Sequence, residues 1–199
     1  GYPQALFGIV QGGSFRDLRE LSVEQVLKME LDGIAIGGEA IGFDMEKTVE
    51  IVDWVRPMLP QDKLRYTMGV GLNPQDLIDV VRSGIDVFDC VAPTRNARHG
   101  ALYHGRAVPD GQWVRFENGL ERGRLLIKKS IFAKDDRPVL EGCSCLTCQH
   151  YSRGYLHYLF KKKQALYASL ACIHNVHVMQ ETCNVMRQAI VTHSASASH

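Results

Sequence analysis

Apolar positions in the first ninety residues fall into short runs separated by stretches of helical period. Leu6-Phe7-Gly8-Ile9-Val10 suits a buried strand, and Gln11-Gly12-Gly13 after it reads as a turn. Ser22 with Gln25 three residues later forms a capping box, which opens or re-caps a helix burying Val23, Val26, Leu27 and Leu31. Gly33-Ile34-Ala35-Ile36-Gly37 is the second strand. Asp44 caps a helix in which Val49, Val52 and Val55 recur every third residue, and Arg65 to Val70 returns to strand. Asn73 as cap and Pro74 at the first helical position start a third helix that Gly84 ends. Ile85 to Phe88 is then a fourth strand, finishing at Asp89.

Strand and helix alternating at such short intervals imply parallel strands joined by right-handed crossovers, an α/β arrangement. Polar or glycine-rich groups follow every strand: Gln11-Gly12-Gly13, Gly37-Gly38-Glu39, Met68-Gly69 and Asp89. In a (β/α)8 barrel those carboxyl ends line the active site. Four repeats are visible where a whole barrel takes about 250 residues, and Gly1-Tyr2-Pro3 leads directly into a strand. The expectation is the C-terminal half of a TIM barrel over residues 1–100. An open parallel edge invites pairing, so either a homodimer or a missing N-terminal half-barrel is expected to cover it.

The pattern changes after residue 100. Alternation around Trp113-Val114-Arg115-Phe116 predicts a small antiparallel sheet. Cys143, Cys145 and Cys148 then place three thiols within six residues of a Gly/Ser/Thr-rich turn. With a later imidazole they make a Cys3His set, which closes the shell of a tetrahedral zinc and leaves no position for water, so the expected role of Zn2+ is structural. His174 is preferred over His150, His157 and His177 because a helix from about Ser152 to Leu170 would carry the chain out and bring it back. Residues 101–176 are thus the small sheet plus zinc-binding subdomain, 177–193 a C-terminal helix, and 194–199 an added or disordered tail.

Composition adds little against this. With 199 residues, 45% hydrophobic and 23% charged, the chain can build one core, or one core and a satellite. Six cysteines without a leader or a bilayer-length apolar run predict a cytoplasmic, non-membrane protein whose thiols bind metal instead of forming disulfides. The net charge of +1 is uninformative, but Arg95 to Lys129 carries eight Lys/Arg against three Asp/Glu. Such an excess can lie along a polyanion or simply be a solvated basic face.

Together, Gly8-Ile9-Val10-Gln11-Gly12, Gly37-Gly38, Tyr66-Thr67-Met68-Gly69-Val70-Gly71, Phe88-Asp89-Cys90-Val91-Ala92-Pro93-Thr94-Arg95 and the Cys3His knuckle resemble the queuine tRNA-ribosyltransferases, also called tRNA-guanine transglycosylases. The pieces run in that family's order from about Ala5 to Ile190 and correspond to its C-terminal half. The resemblance implies a (β/α)8 barrel with the zinc subdomain inserted after strand eight. It also implies exchange of guanine at the wobble position of tRNAs with a GUN anticodon for a 7-deazaguanine base, toward queuosine.

Asp89 falls on the family's nucleophile, where a carboxylate can attack the ribose C1′ and divide one displacement into two. Read by itself, Asp89 would be a capping carboxylate at a strand end, and Cys90 beside it a small buried thiol. Gln11, Gly38 and Met68 fall at positions that hold the exchanged base, and Tyr66 at an aromatic position that stacks on it. Arg95 and Arg98 match contacts to the anticodon loop, and Lys128 and Lys129 would extend a phosphate track.

Two departures stand out. The usual bacterial run Leu-Ala-Val-Gly-Glu after the double glycine is here Glu39-Ala40-Ile41-Gly42-Phe43, which leaves the incoming base open. Gly71-Leu72-Asn73-Pro74 lacks a lysine found in many relatives. The family's general acid/base aspartate and a base-reading aspartate belong to its first half, so this chain is expected to be inactive by itself. The alternative is a non-catalytic tRNA-binding or dimerisation subunit of the same family. An unrelated metal-dependent hydrolase is disfavoured, because no His/Asp cluster sits at the visible strand ends.

Overall fold

The computed structural model describes residues 3–38, 41–120 and 123–196, with side chains as far as residue 192. Two compact units are present: Gly1–Leu72 with Asp76–Cys90, and Asn73–Gln75 with Val91–His199.

The first unit is built on a four-stranded parallel sheet in the order β1 (Phe7–Val10), β2 (Gly33–Ile36), β3 (Leu64–Thr67) and β4 (Val87–Phe88). Phe7 pairs with Gly33, Gly33 with Leu64, and Tyr66 with Val87. Because side chains alternate across a strand, this register gathers Val10, Ile34 and Ile36 on one face. They pack with Val23 and Val26 of α1 (Arg16–Leu27) and with Ile51, Val52 and Val55 of α2 (Met45–Val55). The same register puts Ile9, Tyr66 and Val87 on the opposite face, where Ile9 is 48% and Val87 42% exposed. The sheet therefore has one packed face and one apolar face open to solvent.

Local signals set the helix ends with one correction. Asp44 caps α2, its Oδ1 accepting from the Lys47 amide at 3.0 Å. Helix α3 (Pro74–Arg82) closes through Gly84 at φ 106°, with Gly84 N–H on the Val81 carbonyl and Ile85 N–H on that of Val80. That paired closure satisfies two carbonyls which would otherwise be orphaned at the helix end. The Ser22–Gln25 box, in contrast, does not open a helix. Helix α1 begins at Arg16 without a side-chain cap, and Ser22 lies in its interior. The Ser22 hydroxyl accepts from the Gln11 amide at 3.0 Å, tying the turn after β1 to α1 instead of capping it.

After residue 90 the second unit continues with α4 (Ala92–Arg98), whose first turn holds Pro93 and Thr94. Short strands β5 (Ala101–Tyr103) and β8 (Arg124–Leu126) pair antiparallel, and β6 (Gly105–Asp110) and β7 (Trp113–Asn118) form a hairpin. Three helices follow: α5 (Leu146–His150), α6 (Arg153–Lys161) and α7 (Ala165–Ser196). The core gathers Leu102, Leu125, Ile127, Val139, Leu156, Leu159 and Leu170.

The helix expected from Ser152 to Leu170 is two helices. Ser152 caps α6 by accepting from Tyr155 N–H at 3.2 Å, and Lys163 at φ 53° breaks the chain before α7. Helix α7 then continues across residue 176 as far as Ser196, so a single helix holds both His174 and the segment expected to be separate. The segment 91–100 belongs with this unit. Among the described residues, no helix is long and apolar enough to cross a membrane.

Candidate functional site

The strongest concentration of chemistry is the meeting of the thiol loop with α7. Cys145 precedes α5 and caps it, its Sγ accepting from Cys148 N–H at 3.3 Å, so one helical turn sets Cys145 and Cys148 side by side. Thr147 is buried and donates to the Leu170 carbonyl at 2.6 Å, which fixes α5 on α7 one turn before His174. His174 Nδ1 then lies 3.9 Å from Cys143 Sγ, 3.6 Å from Cys145 Sγ and 3.3 Å from Cys148 Sγ. All four ligand atoms fall within 4.8 Å of one another.

This geometry can hold a metal ion. Zn–S near 2.3 Å and Zn–N near 2.0 Å in a tetrahedron separate neighbouring ligand atoms by about 3.6 Å, and the three sulfur–nitrogen distances bracket that value. His174 is fully buried, and its Nε2 donates to the Tyr103 carbonyl at 2.8 Å. That bond leaves Nδ1 as the lone-pair donor and fixes the ring, the usual outer support of a metal-bound histidine. The donor set is the soft, nitrogen–sulfur type compatible with zinc.

Proton affinities in the cluster follow from the crowding. Contacts with Cys143 and Cys148 hold the Cys145 thiol far below the usual range, and Cys148 is pushed far above it by contacts with Cys143 and Cys145. Burial lowers the His174 pKa, yet the contacts with Cys143 and Cys145 outweigh burial and raise it to about 9.

The rival histidines are engaged elsewhere or exposed. His157 bonds the Ile127 carbonyl at 2.7 Å, His177 Nε2 lies 3.3 Å from Ser144 Oγ, and His150 ends α5 in solvent. Among the described residues, this is the one grouping of three or more such ligands that could hold a metal. All six cysteines are unbridged.

The second concentration lies at the carboxyl edge of the parallel sheet. Gln11, Gly38, Met68 and Asp89 follow β1, β2, β3 and β4 within two residues each. Adjacent strands stand about 4.8 Å apart, so the four positions line one rim. Tyr66 reaches Asp89 directly, its hydroxyl donating to Oδ1 at 2.5 Å. This bond, then burial and the carboxylate's charge, raises the Tyr66 pKa above the ordinary tyrosine value. The Tyr66 ring stands edge-on to Phe7 at 6.3 Å.

Asp89 is exposed and Met68 half-buried. Gln11 reaches over the next turn, where a Cβ on Gly37 would lie 2.8 Å from its Nε2. Arg95 and Arg98 are exposed in the last turn of α4, and Lys128 and Lys129 are exposed after β8. Phe43 is 78% exposed, while Glu39 lies outside the described residues.

Several supporting residues were not legible beforehand. Asn175, next to His174, is fully buried. Its Oδ1 accepts from Tyr103 N–H at 2.9 Å, and its Nδ2 donates to the carbonyls of Pro93 and Ala101. The hydroxyl bond of Tyr66 was equally hidden, although its spacing from Asp89 across adjacent strands follows once the register is known.

The family profile described as Queuine tRNA-ribosyltransferase matches residues 1–197. A "Queuine tRNA-ribosyltransferase" of Caldanaerobacter subterraneus subsp. tengcongensis is 43% identical over 187 residues, covering 94% of this chain and 45% of the relative. Proteins of the same name from Methylobacillus flagellatus and Azotobacter vinelandii are 44% and 43% identical over 190 residues, covering 96% of this chain and 47% of each relative. The chain spans about half the length of these curated relatives. With the profile covering nearly all of it, the chain belongs to the queuine tRNA-ribosyltransferase family.

Proposed function

We propose that this chain is the C-terminal half of a tRNA-guanine transglycosylase. The whole protein exchanges guanine at the wobble position of GUN-anticodon tRNAs for a 7-deazaguanine base of the queuosine pathway. The observation that carries this reading is the Asp89 carboxylate, exposed at the carboxyl end of β4 with Tyr66 hydrogen-bonded to one oxygen.

In this reading the free Asp89 oxygen attacks C1′ of the ribose while the C1′–N9 bond breaks and guanine leaves, protonated by an acid outside this chain. The Tyr66 hydroxyl steadies the carboxylate and restricts attack to its other oxygen. N9 of the incoming base then attacks C1′, and the ribosyl–Asp89 ester bond breaks. Covalent relay of this kind divides one difficult displacement into two easier ones.

Gln11 reads a purine edge, Gly38 admits it to the backbone, and Met68 packs on its face. Tyr66, by the family's pattern, also supplies an aromatic surface to the base. Arg95 and Arg98 meet the anticodon loop, with Lys128 and Lys129 along the phosphates. Cys143, Cys145, Cys148 and His174 hold a structural zinc.

The open sheet face supports the half-barrel reading, because a (β/α)8 barrel buries that face inside a closed ring. Either the family's N-terminal half or a second copy of the chain covers it. The chain by itself is inactive, since the proton-transferring partner lies in the other half. The protein works in the cytoplasm, where its tRNA substrate is found.

The test is a denaturation-resistant adduct between full-length protein and tRNA. Wild type is expected to form it and Asp89→Asn to lose both the adduct and guanine exchange, by at least about a thousandfold, while still binding tRNA. No adduct with either protein, with tRNA bound, would instead identify a non-catalytic tRNA-binding subunit.

A further inference from the structure

Arg19, in the second turn of α1, is fully buried although it is the largest charged side chain in the first unit's core. Its Nε donates to the Gly13 carbonyl at 2.8 Å. Its Nη1 donates to the carbonyl of Gly37 at 2.5 Å and to that of Val10 at 3.2 Å. Val10 and Gly37 immediately precede Gln11 and Gly38. One guanidinium therefore spans the carboxyl ends of β1 and β2 and the turn that follows β1.

Among the described residues no carboxylate pairs with Arg19, and three carbonyls offset only part of the desolvation of a buried charge. Among the described residues, Nη2 is buried without a hydrogen-bond partner. It lies against Gly38, where a Cβ would collide with it. Gly38 is at φ 132°, so the backbone of that turn is turned in a way L side chains rarely adopt, directly over the guanidinium. The neighbouring Gly37 makes room for the Gln11 amide. The two glycines thus leave room for two different side chains, Gly37 for Gln11 and Gly38 for Arg19.

We propose that Arg19 is a positioning residue for the purine base, locking the Gln11 and Gly38 turns at one separation so that side-chain amide and backbone meet the same base edge. The inference rests on the transglycosylase reading of this rim. The fork of Arg matters because Nε and Nη1 point to separate turns at once, which a lysine's single ammonium cannot reproduce.

The experiment measures guanine exchange by the full-length protein with labelled guanine and unmodified GUN-anticodon tRNA, for wild type, Arg19→Met and Arg19→Lys. The expected result is a rise in KM for guanine of about tenfold to a hundredfold in Arg19→Met, the scale of one charge-assisted hydrogen bond. KM for tRNA and the yield of the tRNA adduct should be nearly unchanged, and Arg19→Lys should fall between the other two.

Equal changes in both KM values, or a lower melting temperature with an unchanged KM for guanine, would make Arg19 a purely structural residue and overturn the proposal. So would failure of both variants to fold. A wild-type protein that exchanges no guanine removes the transglycosylase reading itself, and this inference with it; exchange by wild type with an insensitive Arg19 removes the inference alone.

Discussion

The Cys3His cluster and the Asp89 rim are two centres assembled in opposite ways. In the cluster, every ligand atom comes from one unit, His174 and Cys145 are buried, and outer contacts from Tyr103 and Thr147 fix the geometry. On the rim, Asp89 is exposed and accepts a hydrogen bond from the Tyr66 hydroxyl. A metal site can be closed by a short loop and one helix because four ligands satisfy it. An enclosed pocket needs walls, and the sheet here presents one face with apolar residues open to solvent.

The largest test of this contrast is Cys145→Ala. It should reduce bound zinc from one per chain to near zero, measured by elemental analysis, and lower the melting temperature sharply, since structural zinc is worth about 10 kcal/mol or more to small sites. Asp89→Asn should leave both unchanged. If Cys145→Ala retained metal and melting temperature, the cluster would not be a structural centre.

A smaller effect is expected from Tyr66→Phe, which removes the donor to Asp89 but keeps the ring and its packing on Phe7. Guanine exchange by the full-length protein should slow about tenfold, the scale of a lost hydrogen bond to a charged group, with zinc content unaffected. Because the bond raises the Tyr66 pKa, the hydroxyl stays protonated through neutral pH and the wild-type rate should not fall there through its ionisation. A variant as fast as wild type would reduce Tyr66 to packing.

The smallest effect concerns the framework of the second unit. Asp135 receives bonds from Arg137 at 2.8 and 2.9 Å and from buried Arg153 at 3.2 Å, and Arg153 also grips the carbonyls of Pro138 and Val139 just before the cysteine loop. Arg137 first, with Arg153 adding and burial opposing, holds the Asp135 carboxyl well below the usual carboxylate range. Its folded pKa is therefore lower than its unfolded one. The stabilisation is complete above the ordinary carboxylate pKa of about 4 and is lost as pH falls toward the folded value. Asp135→Asn should lower the melting temperature at pH 7 and flatten its decline between pH 5 and 3; an unchanged slope would exclude this group.

Much of the first unit was legible because its signals are local. A four-residue apolar run has few alternatives to a buried strand, and Asp44 and Gly84 each act on a backbone group within a few residues. The Ser22–Gln25 box misled for an equally physical reason: a hydroxyl serves whichever amide is nearest, and folding brought Gln11 N–H to it. The single helix expected after Ser152 failed at Lys163, a residue type that gives no warning of a left-handed backbone.

By itself the sequence determined the α/β alternation, the cysteine loop and the family, because these rest on spacing and residue type. It also singled out His174 through a helix drawn in the wrong number of pieces, and the structure brings His174 to the three cysteines. Only the tertiary structure decided that Tyr66 meets Asp89, that Thr147 and Tyr103 fix α5 and His174 in the Cys3His cluster, and that Arg19 joins the ends of β1 and β2. Each of these pairs is far apart in the chain, by 23 residues for Tyr66 and Asp89 and 71 for His174 and Tyr103. Their meeting depends on strand register and helix packing, which no local pattern encodes.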